Sequence, residues 1–147
     1  MKLHLSPPYR IWIVRFLIGL VVFFNLESAI AFLIHPDVYT SSYELSGIPG
    51  DAAIRGFAIL FCMWNVPYLF AFWHPIKYHI SLWESVLMQA TGLLGESWLV
   101  SQIPTEFGLL RNSIFRFIIF DGAGLLLLLI ALSLMISLRK KTYPVPQ

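Results

Sequence analysis

Charged residues are scarce in this chain, and their scarcity limits the class of protein it can form. Only 12% of the 147 residues are Asp, Glu, Lys or Arg, whereas 58% are hydrophobic and the mean hydropathy is +0.75. A soluble domain carries about 25% charged residues, so this composition leaves too little polar surface to face water on every side. We therefore predict an integral membrane protein, with residues 1–147 forming one domain.

Cysteine and sequence motifs for catalysis are also lacking. Cys62 is the only cysteine, which excludes an internal disulfide and a multi-cysteine metal site. The net charge of +2 is too small to favour nucleic-acid binding. The sequence contains no nucleophile elbow, phosphate loop, HExxH zinc motif or dinucleotide glycine motif. The four histidines fall at or beyond the ends of the hydrophobic segments, so no haem or metal site is predicted.

Long hydrophobic segments are the main feature that is present. There are four such segments, and the length of each is close to the ~20 residues that a helix needs to cross a bilayer. They cover residues 11–34, 52–73, 80–103 and 113–138. Pro36 and Pro75 predict the ends of the first two helices, because proline disfavours helix in the residue before it. Asp51 is a good N-cap for the second helix. The predicted fold is all-α, a polytopic four-helix bundle.

The distribution of charge predicts the orientation of the bundle. Basic residues gather on the side that holds both termini, at Lys2, Arg10, Lys77, Arg139, Lys140 and Lys141. The opposite loops are acidic and contain Asp37, Glu44, Asp51 and Glu106, with Arg111 as their one firm base. By the positive-inside rule, both termini are predicted to be cytoplasmic. The simple topology favours a multi-pass protein of the bacterial cytoplasmic (inner) membrane.

Ionisable side chains within the spans indicate where a functional site lies. A charged residue at the centre of a span costs about 2.5–3.5 kcal/mol even on insertion-based scales, so it usually faces a partner or a wet cavity. Glu27, Glu96 and Asp121 come from three spans, and a rise of about 1.5 Å per residue places them at one level in the outer half of the bilayer. Arg55 and Arg116 lie further out on the same side. We expect a shared polar cavity, in which the positive charge of Arg55 compensates the negative charges of the acids.

Simpler explanations exist for the arginines. Arg55 stands four residues after Asp51, so the two can form a local pair at the start of the second helix. Arg116 and Glu84 lie near span ends and can anchor at the membrane interface. Glu96 is deeper, and a short acidic side chain at that depth cannot easily reach water. The acids are therefore the stronger indication of a site.

Two amides and a proline extend this interpretation deeper into the bilayer. Gln89 shares a helix face with Glu96, and Asn65 lies within reach of the turn that Pro67 disturbs in the second helix. We expect both amides to supply hydrogen bonds deeper in the cavity. Pro67 leaves a carbonyl without its helical donor, which either lines a cavity or marks a structural kink. No catalytic residue is predicted. The predicted ligand-binding residues are Glu27, Arg55, Asn65, Gln89, Glu96 and Asp121.

Residues 35–72 resemble a known family. They carry His35-Pro36-Asp37 and the turn Ser46-Gly47-Ile48-Pro49-Gly50 between the first two spans. Together with the topology, this pattern resembles the DoxX-like group of small four-helix bacterial membrane proteins. That group includes subunits associated with quinone-linked oxidoreductases as well as members of unknown role. The resemblance implies no catalytic residue.

Three functions remain open from the sequence. The leading hypothesis is an accessory subunit or binding protein whose outer-leaflet cavity holds a lipophilic small molecule such as a quinone. The second is a membrane enzyme or proton-coupled transporter, in which Glu96 or Glu27 carries protons. The third is a structural subunit whose acids pair with arginines. The expected partners are membrane lipid and other membrane subunits or further copies of the chain, with no nucleic acid and no identified cofactor.

Overall fold

The computed structural model describes the backbone of residues 8–142 and the side chains of residues 9–139. The prediction of an all-α fold is confirmed, since residues 8–142 contain helices and no strand. The helices are α1 Pro8–Ile34, α2 Pro36–Thr40, α3 Gly47–Trp73, α4 His79–Gln102 and α5 Gly108–Thr142, with a 3-10 turn at Ser41–Tyr43. Lys2 and His4, and the side chains of Lys140 and Lys141, were used in the predictions above and lie outside the described residues.

Helix α3 begins one turn earlier than the sequence predicts. Ser46 is extended (φ −150°, ψ 155°) and the helix starts at Gly47, which has a positive φ of 64°. Pro49 then occupies the first turn, where a backbone N–H has no helical acceptor and proline costs nothing. The prediction that Asp51 is the N-cap is therefore wrong. Asp51 instead lies inside α3, where its Oδ1 accepts a hydrogen bond from Thr40 Oγ1 at 3.0 Å.

Each of the four long helices packs against two others. Helix α1 contacts α3 and α5, and α4 contacts the same two helices. The four therefore surround one interior, and connections of few residues join α3 to α4 and α4 to α5. Helix α2 and the 3-10 turn cross the end of the interior and pack against α3 and α5.

The two halves of this interior are packed differently. The half that contains the start of α1 and the end of α5, here called the terminal half, has a continuous apolar core that includes Ile18, Leu82 and Met135. The half next to α2, here called the loop half, has a much smaller buried apolar cluster formed by Phe32, Ile54 and Ala58. The terminal half therefore provides most of the packing between the helices, and the loop half is less closely packed.

Two charged side chains form hydrogen bonds with helix ends in the loop half. Arg111 Nη1 donates to the carbonyl oxygens of Val100 at 2.8 Å and of Ile103 at 2.5 Å, at the end of α4. The last carbonyl groups of a helix have no hydrogen-bond donor within the helix. A cation there is also stabilised by the negative end of the helix dipole. Glu44 Oε1 accepts a hydrogen bond from the N–H of Leu110 at 3.3 Å, in the first turn of α5. These contacts fix the connection between α4 and α5.

Three helices among the described residues are long and apolar enough to cross a membrane. They are Tyr9–Ile34, Gly47–Trp73 and Gly108–Arg139, with mean hydropathies of 2.3, 1.5 and 2.5. Their outward faces carry large apolar side chains, such as Phe16, Phe23 and Ile119, that are more than half exposed. Such a surface is suited to lipid, because soluble proteins rarely expose apolar patches of this extent. The prediction of an integral membrane protein is supported at this level.

We expect Arg111→Ala to lower the free energy of unfolding by about 1–3 kcal/mol, because two carbonyl oxygens lose a charged donor. Arg116→Ala is the matched control on the same helix, since the Arg116 side chain is exposed, and its effect should stay within about 0.5 kcal/mol. Thermal unfolding of both variants in detergent micelles measures the difference. Equal unfolding temperatures for the two variants would show that the Arg111 contacts do not stabilise the fold.

Candidate functional site

A cavity of about 630 Å³ opens between α3 and α4 in the loop half. Small-molecule sites in proteins commonly have volumes of about 300–1,000 Å³. Apolar side chains form most of its lining, including Phe57, Leu60, Trp64, Leu87 and Leu99. These five side chains are all partly accessible at the outer surface of α3 and α4. The cavity therefore opens sideways, through the apolar surface of the protein.

The cavity exists because α4 has small residues where α3 has aromatic ones. Gly92 and Gly95 of α4 line it, and a β-carbon added at Gly95 would meet no atom within 4 Å. On the other side, the Phe61 ring contacts the rings of Trp64 and Phe117, with centroids 6.1 and 5.8 Å apart. These rings support one another, so they do not fill the space beside the glycines.

Glu96 brings a carboxylate to the wall of this cavity. Its Oε2 is buried and has no hydrogen-bond partner. Buried polar atoms nearly always have a hydrogen-bond partner, because without one the free-energy cost of removing the atom from water is not compensated. Tyr43 lines the same cavity from the 3-10 turn. Burial, and second the nearby Glu96 carboxylate, raises the pKa of the Tyr43 phenol above its ordinary value, so Tyr43 remains a neutral hydrogen-bond donor.

A chain of hydrogen bonds connects α3, α4 and α5 beside the cavity. Tyr68 Oη donates to Gln89 Oε1 at 2.8 Å and is 3.1 Å from the carbonyl oxygen of Ser85. Gln89 Nε2 donates to Asp121 Oδ1 at 2.8 Å. The phenol supplies a donor and the carboxylate supplies an acceptor, so the orientation of the Gln89 amide is determined. The Tyr68–Gln89–Asp121 chain therefore sets how α4 is rotated against its neighbours.

Two glycines allow this chain to form. A β-carbon at Gly92 would overlap the Asp121 carboxylate, and one at Gly124 would lie 2.7 Å from Gln89 Nε2. Each is closer than a β-carbon approaches another atom in real structures, so either substitution displaces the neighbouring polar group. The glycines are therefore required for close approach of α4 and α5 at this level, as small residues are at other helix contacts in membranes.

Three of the six predicted site residues come together. Gln89, Glu96 and Asp121 line a pocket of about 40 Å³ that shares several lining residues with the large cavity. Asn65 is almost fully buried on α3, where its Nδ2 donates to the Phe61 carbonyl oxygen at 2.8 Å. The Asn65 Oδ1 is buried without a partner. Asn65 lines neither the large cavity nor the small pocket, so its free oxygen is not part of the site.

Glu27 and Arg55 lie elsewhere. Glu27 is exposed and lines a separate groove of about 330 Å³ between α1 and α5, together with Arg116. Arg55 is exposed, and its Nη1 donates to the carbonyl oxygen of Leu33 at 3.0 Å, near the end of α1. Arg55 neither pairs with Asp51 nor lines the cavity. Among residues 9–139, no carboxylate forms an ion pair with an arginine, lysine or histidine.

The small pocket also contains polar residues that the sequence interpretation did not select. Asn25 and Ser28 of α1 line it, and so does Tyr68 of α3. Residues three apart share a helix face, so the pair Asn25 and Ser28, and the pair Asn65 and Tyr68, were detectable as polar faces within apolar segments. Tyr43 carried no such signal, because it lies in the connection between α1 and α3 and not in a span.

Comparison with protein families, with characterised proteins and with solved structures gives no match for this chain. The function must therefore be inferred from the chemistry of the site. That chemistry consists of an apolar, aromatic cavity with one buried carboxylate oxygen, and a second carboxylate beside it that accepts a hydrogen bond from Gln89. Such a combination is suited to binding a molecule that is mostly apolar and has one polar group.

We expect Gly92→Ala to lower the free energy of unfolding by about 1–3 kcal/mol, because the new methyl group displaces the Asp121 carboxylate. Gly95→Ala is the matched control one turn along α4, where the methyl group enters empty space. It should be neutral or stabilising by up to about 1 kcal/mol, through helix propensity alone. Thermal unfolding in detergent micelles measures both. If Gly92→Ala is as stable as Gly95→Ala, the close contact between Gly92 and Asp121 is not a constraint on the fold.

Proposed function

We propose that the chain forms a bundle of four transmembrane helices, α1, α3, α4 and α5, with both termini in the cytoplasm of a bacterial cell. Helix α4 has 24 residues, enough to span about 36 Å. It is less apolar than the other three, but it packs against both α3 and α5, and its Gln89 side chain is buried between them. Polar residues of α4 that face neighbouring helices need not meet lipid.

The function that the geometry supports best is binding of a lipophilic small molecule in the cavity between α3 and α4. The observation that carries it is that Glu96, whose Oε2 is buried without a hydrogen-bond partner, lines a cavity that opens through the apolar surface. A ligand dissolved in the bilayer reaches such a cavity sideways, without crossing water. Its apolar part contacts the leucines and aromatic rings, and its polar group meets Glu96 and Tyr43.

In this proposal the protein is a binding protein or accessory subunit of the membrane, and a quinone is one lipophilic molecule of suitable size. The resemblance of residues 35–72 to the DoxX-like group stays a prediction and agrees with such a role. The structural alternative, with acids paired to arginines of the same chain, has no supporting contact within residues 9–139.

A second candidate function is proton handling, as in a membrane enzyme or proton-coupled transporter. It is favoured by a different observation: Glu96 and Asp121 line one pocket of about 40 Å³, and polar space of this size can hold a water molecule. A water molecule there would connect the two carboxylates to the cavity. Glu27, the other predicted proton carrier, lines the separate groove between α1 and α5 and does not take part.

The ligand proposal predicts a molecule that co-purifies with the protein and is displaced when the cavity is filled. Gly95→Phe should remove it, because the ring enters space that is empty next to Gly95. Gly56→Phe is the matched control, since a β-carbon at Gly56 also meets no atom within 4 Å but Gly56 does not line the cavity. Mass spectrometry of organic extracts, quantified per mole of protein, makes the comparison. Identical extracts from wild type and both variants would rule out a bound ligand in this cavity.

The topology proposal predicts that α4 carries the chain across the membrane. Reporter fusions that truncate the chain after Lys77 and after Glu106 should lie on opposite sides, cytoplasmic and periplasmic respectively. A fusion at residue 147 should again be cytoplasmic. Alkaline phosphatase, which is active in the periplasm, and β-galactosidase, which is active in the cytoplasm, supply complementary signals. The same side for the Lys77 and Glu106 fusions would mean that α4 does not span the bilayer.

A further inference from the structure

The site contains two acidic side chains and, among residues 9–139, no basic one. Glu96 lines both the cavity and the adjoining pocket, and Asp121 lines the pocket. No arginine, lysine or histidine of this described part lines either space. Arg55 and Arg111 donate to main-chain carbonyl oxygens at helix ends, and Arg116 lines the separate groove between α1 and α5. A buried acid without a basic partner is costly to ionise, and a cation bound beside it favours the ionised form.

The rest of the lining is suited to a positive charge as well. Aromatic rings occupy much of the cavity wall, from Tyr43, Phe57, Phe61, Trp64 and Phe117. The face of an aromatic ring attracts a cation electrostatically, and tryptophan does so most strongly. Among the described residues, the other polar groups in the lining are the indole N–H of Trp64 and the hydroxyl of Thr91, and the Thr91 hydroxyl donates to the Leu87 carbonyl oxygen. The cavity thus combines a carboxylate, ring faces and aliphatic surface.

We propose that this cavity binds a lipophilic cation, a molecule in which a substituted ammonium or phosphonium centre carries apolar groups. The positive centre lies beside Glu96 and the aromatic rings, and the apolar groups fill the space lined by the leucines. This inference rests on the proposed ligand-binding function and names the ligand class of the same cavity. A neutral quinone can accept a hydrogen bond from the Tyr43 phenol, but its carbonyl oxygens only accept hydrogen bonds and so offer no donor to an ionised Glu96 carboxylate.

The test compares a cation with a neutral molecule of similar lipophilicity. Tetraphenylphosphonium and decylubiquinone are each titrated against the purified full-length protein in detergent micelles, with bound ligand measured by equilibrium dialysis. We expect tetraphenylphosphonium to bind wild type and Glu96→Gln to weaken its affinity by about tenfold or more, because the variant loses the buried charge. Glu84→Gln removes a charge from the exposed part of the same helix and should change the affinity by less than about twofold.

Two further variants keep the result interpretable. Gly95→Phe should abolish cation binding, and unchanged binding would place the cation outside the cavity and overturn the inference. Should Glu96→Gln fail to fold, as judged by its unfolding temperature, Asp121→Asn replaces it. That variant keeps an oxygen to accept the hydrogen bond from Gln89 Nε2 and removes the second charge, so weaker cation binding is again expected and unaltered affinity overturns the inference.

The remaining outcomes separate this inference from the function on which it rests. Binding of decylubiquinone without binding of tetraphenylphosphonium overturns the cation inference and leaves the ligand-binding proposal intact. Binding of neither probe, together with identical extracts from wild type and Gly95→Phe, overturns both. Equal weakening by Glu84→Gln and Glu96→Gln would mean that surface charge attracts the cation, and this also overturns the assignment to the cavity.

Discussion

The hydrogen-bond chain from Tyr68 through Gln89 to Asp121 joins three helices in the middle of the protein. Because both ends of the Gln89 amide are occupied, α4 has one rotational setting against α3 and α5. Glu96 lies two turns along α4 from Gln89 and therefore on nearly the same face. The position of the buried Glu96 oxygen is thus a consequence of this chain, and so is the side of α4 from which the cavity is reached.

Packing differs on the two sides of the chain, and the difference accounts for the cavity. In the terminal half, aliphatic side chains such as Ile18, Leu82 and Leu128 are completely buried and interlock. In the loop half, α4 presents Gly92 and Gly95, while α3 presents aromatic rings that contact one another at a tilt. A closely packed half provides stability, and that stability lets the other half keep an open space whose walls lack full van der Waals contact.

Two arginines of the loop half bind carbonyl oxygens at the ends of helices, and a third, Arg116, lines the separate groove between α1 and α5. Arg55 binds a carbonyl oxygen near the end of α1 and Arg111 binds two at the end of α4. A carbonyl oxygen at a helix end is an efficient partner for a guanidinium group, because it has no helical donor. Within the part of the chain that the structure describes, the Glu96 and Asp121 carboxylates therefore have no ion-pair partner, and this gives the cavity its chemical character.

The sequence alone determined the helical fold, the approximate bounds of the long helices, and the presence of Gln89, Glu96 and Asp121 within them. These properties are local, since length, hydropathy and depth along a helix follow from counting residues at a fixed rise. Only the tertiary structure decided which side chains of each helix face the interior. Asn25 and Ser28 line the pocket, whereas Glu27 between them is exposed. Facing depends on the rotation of each helix against its neighbours, which is set by contacts between residues far apart in the chain. For the same reason the role of Arg55 could not be read from its proximity to Asp51 in sequence.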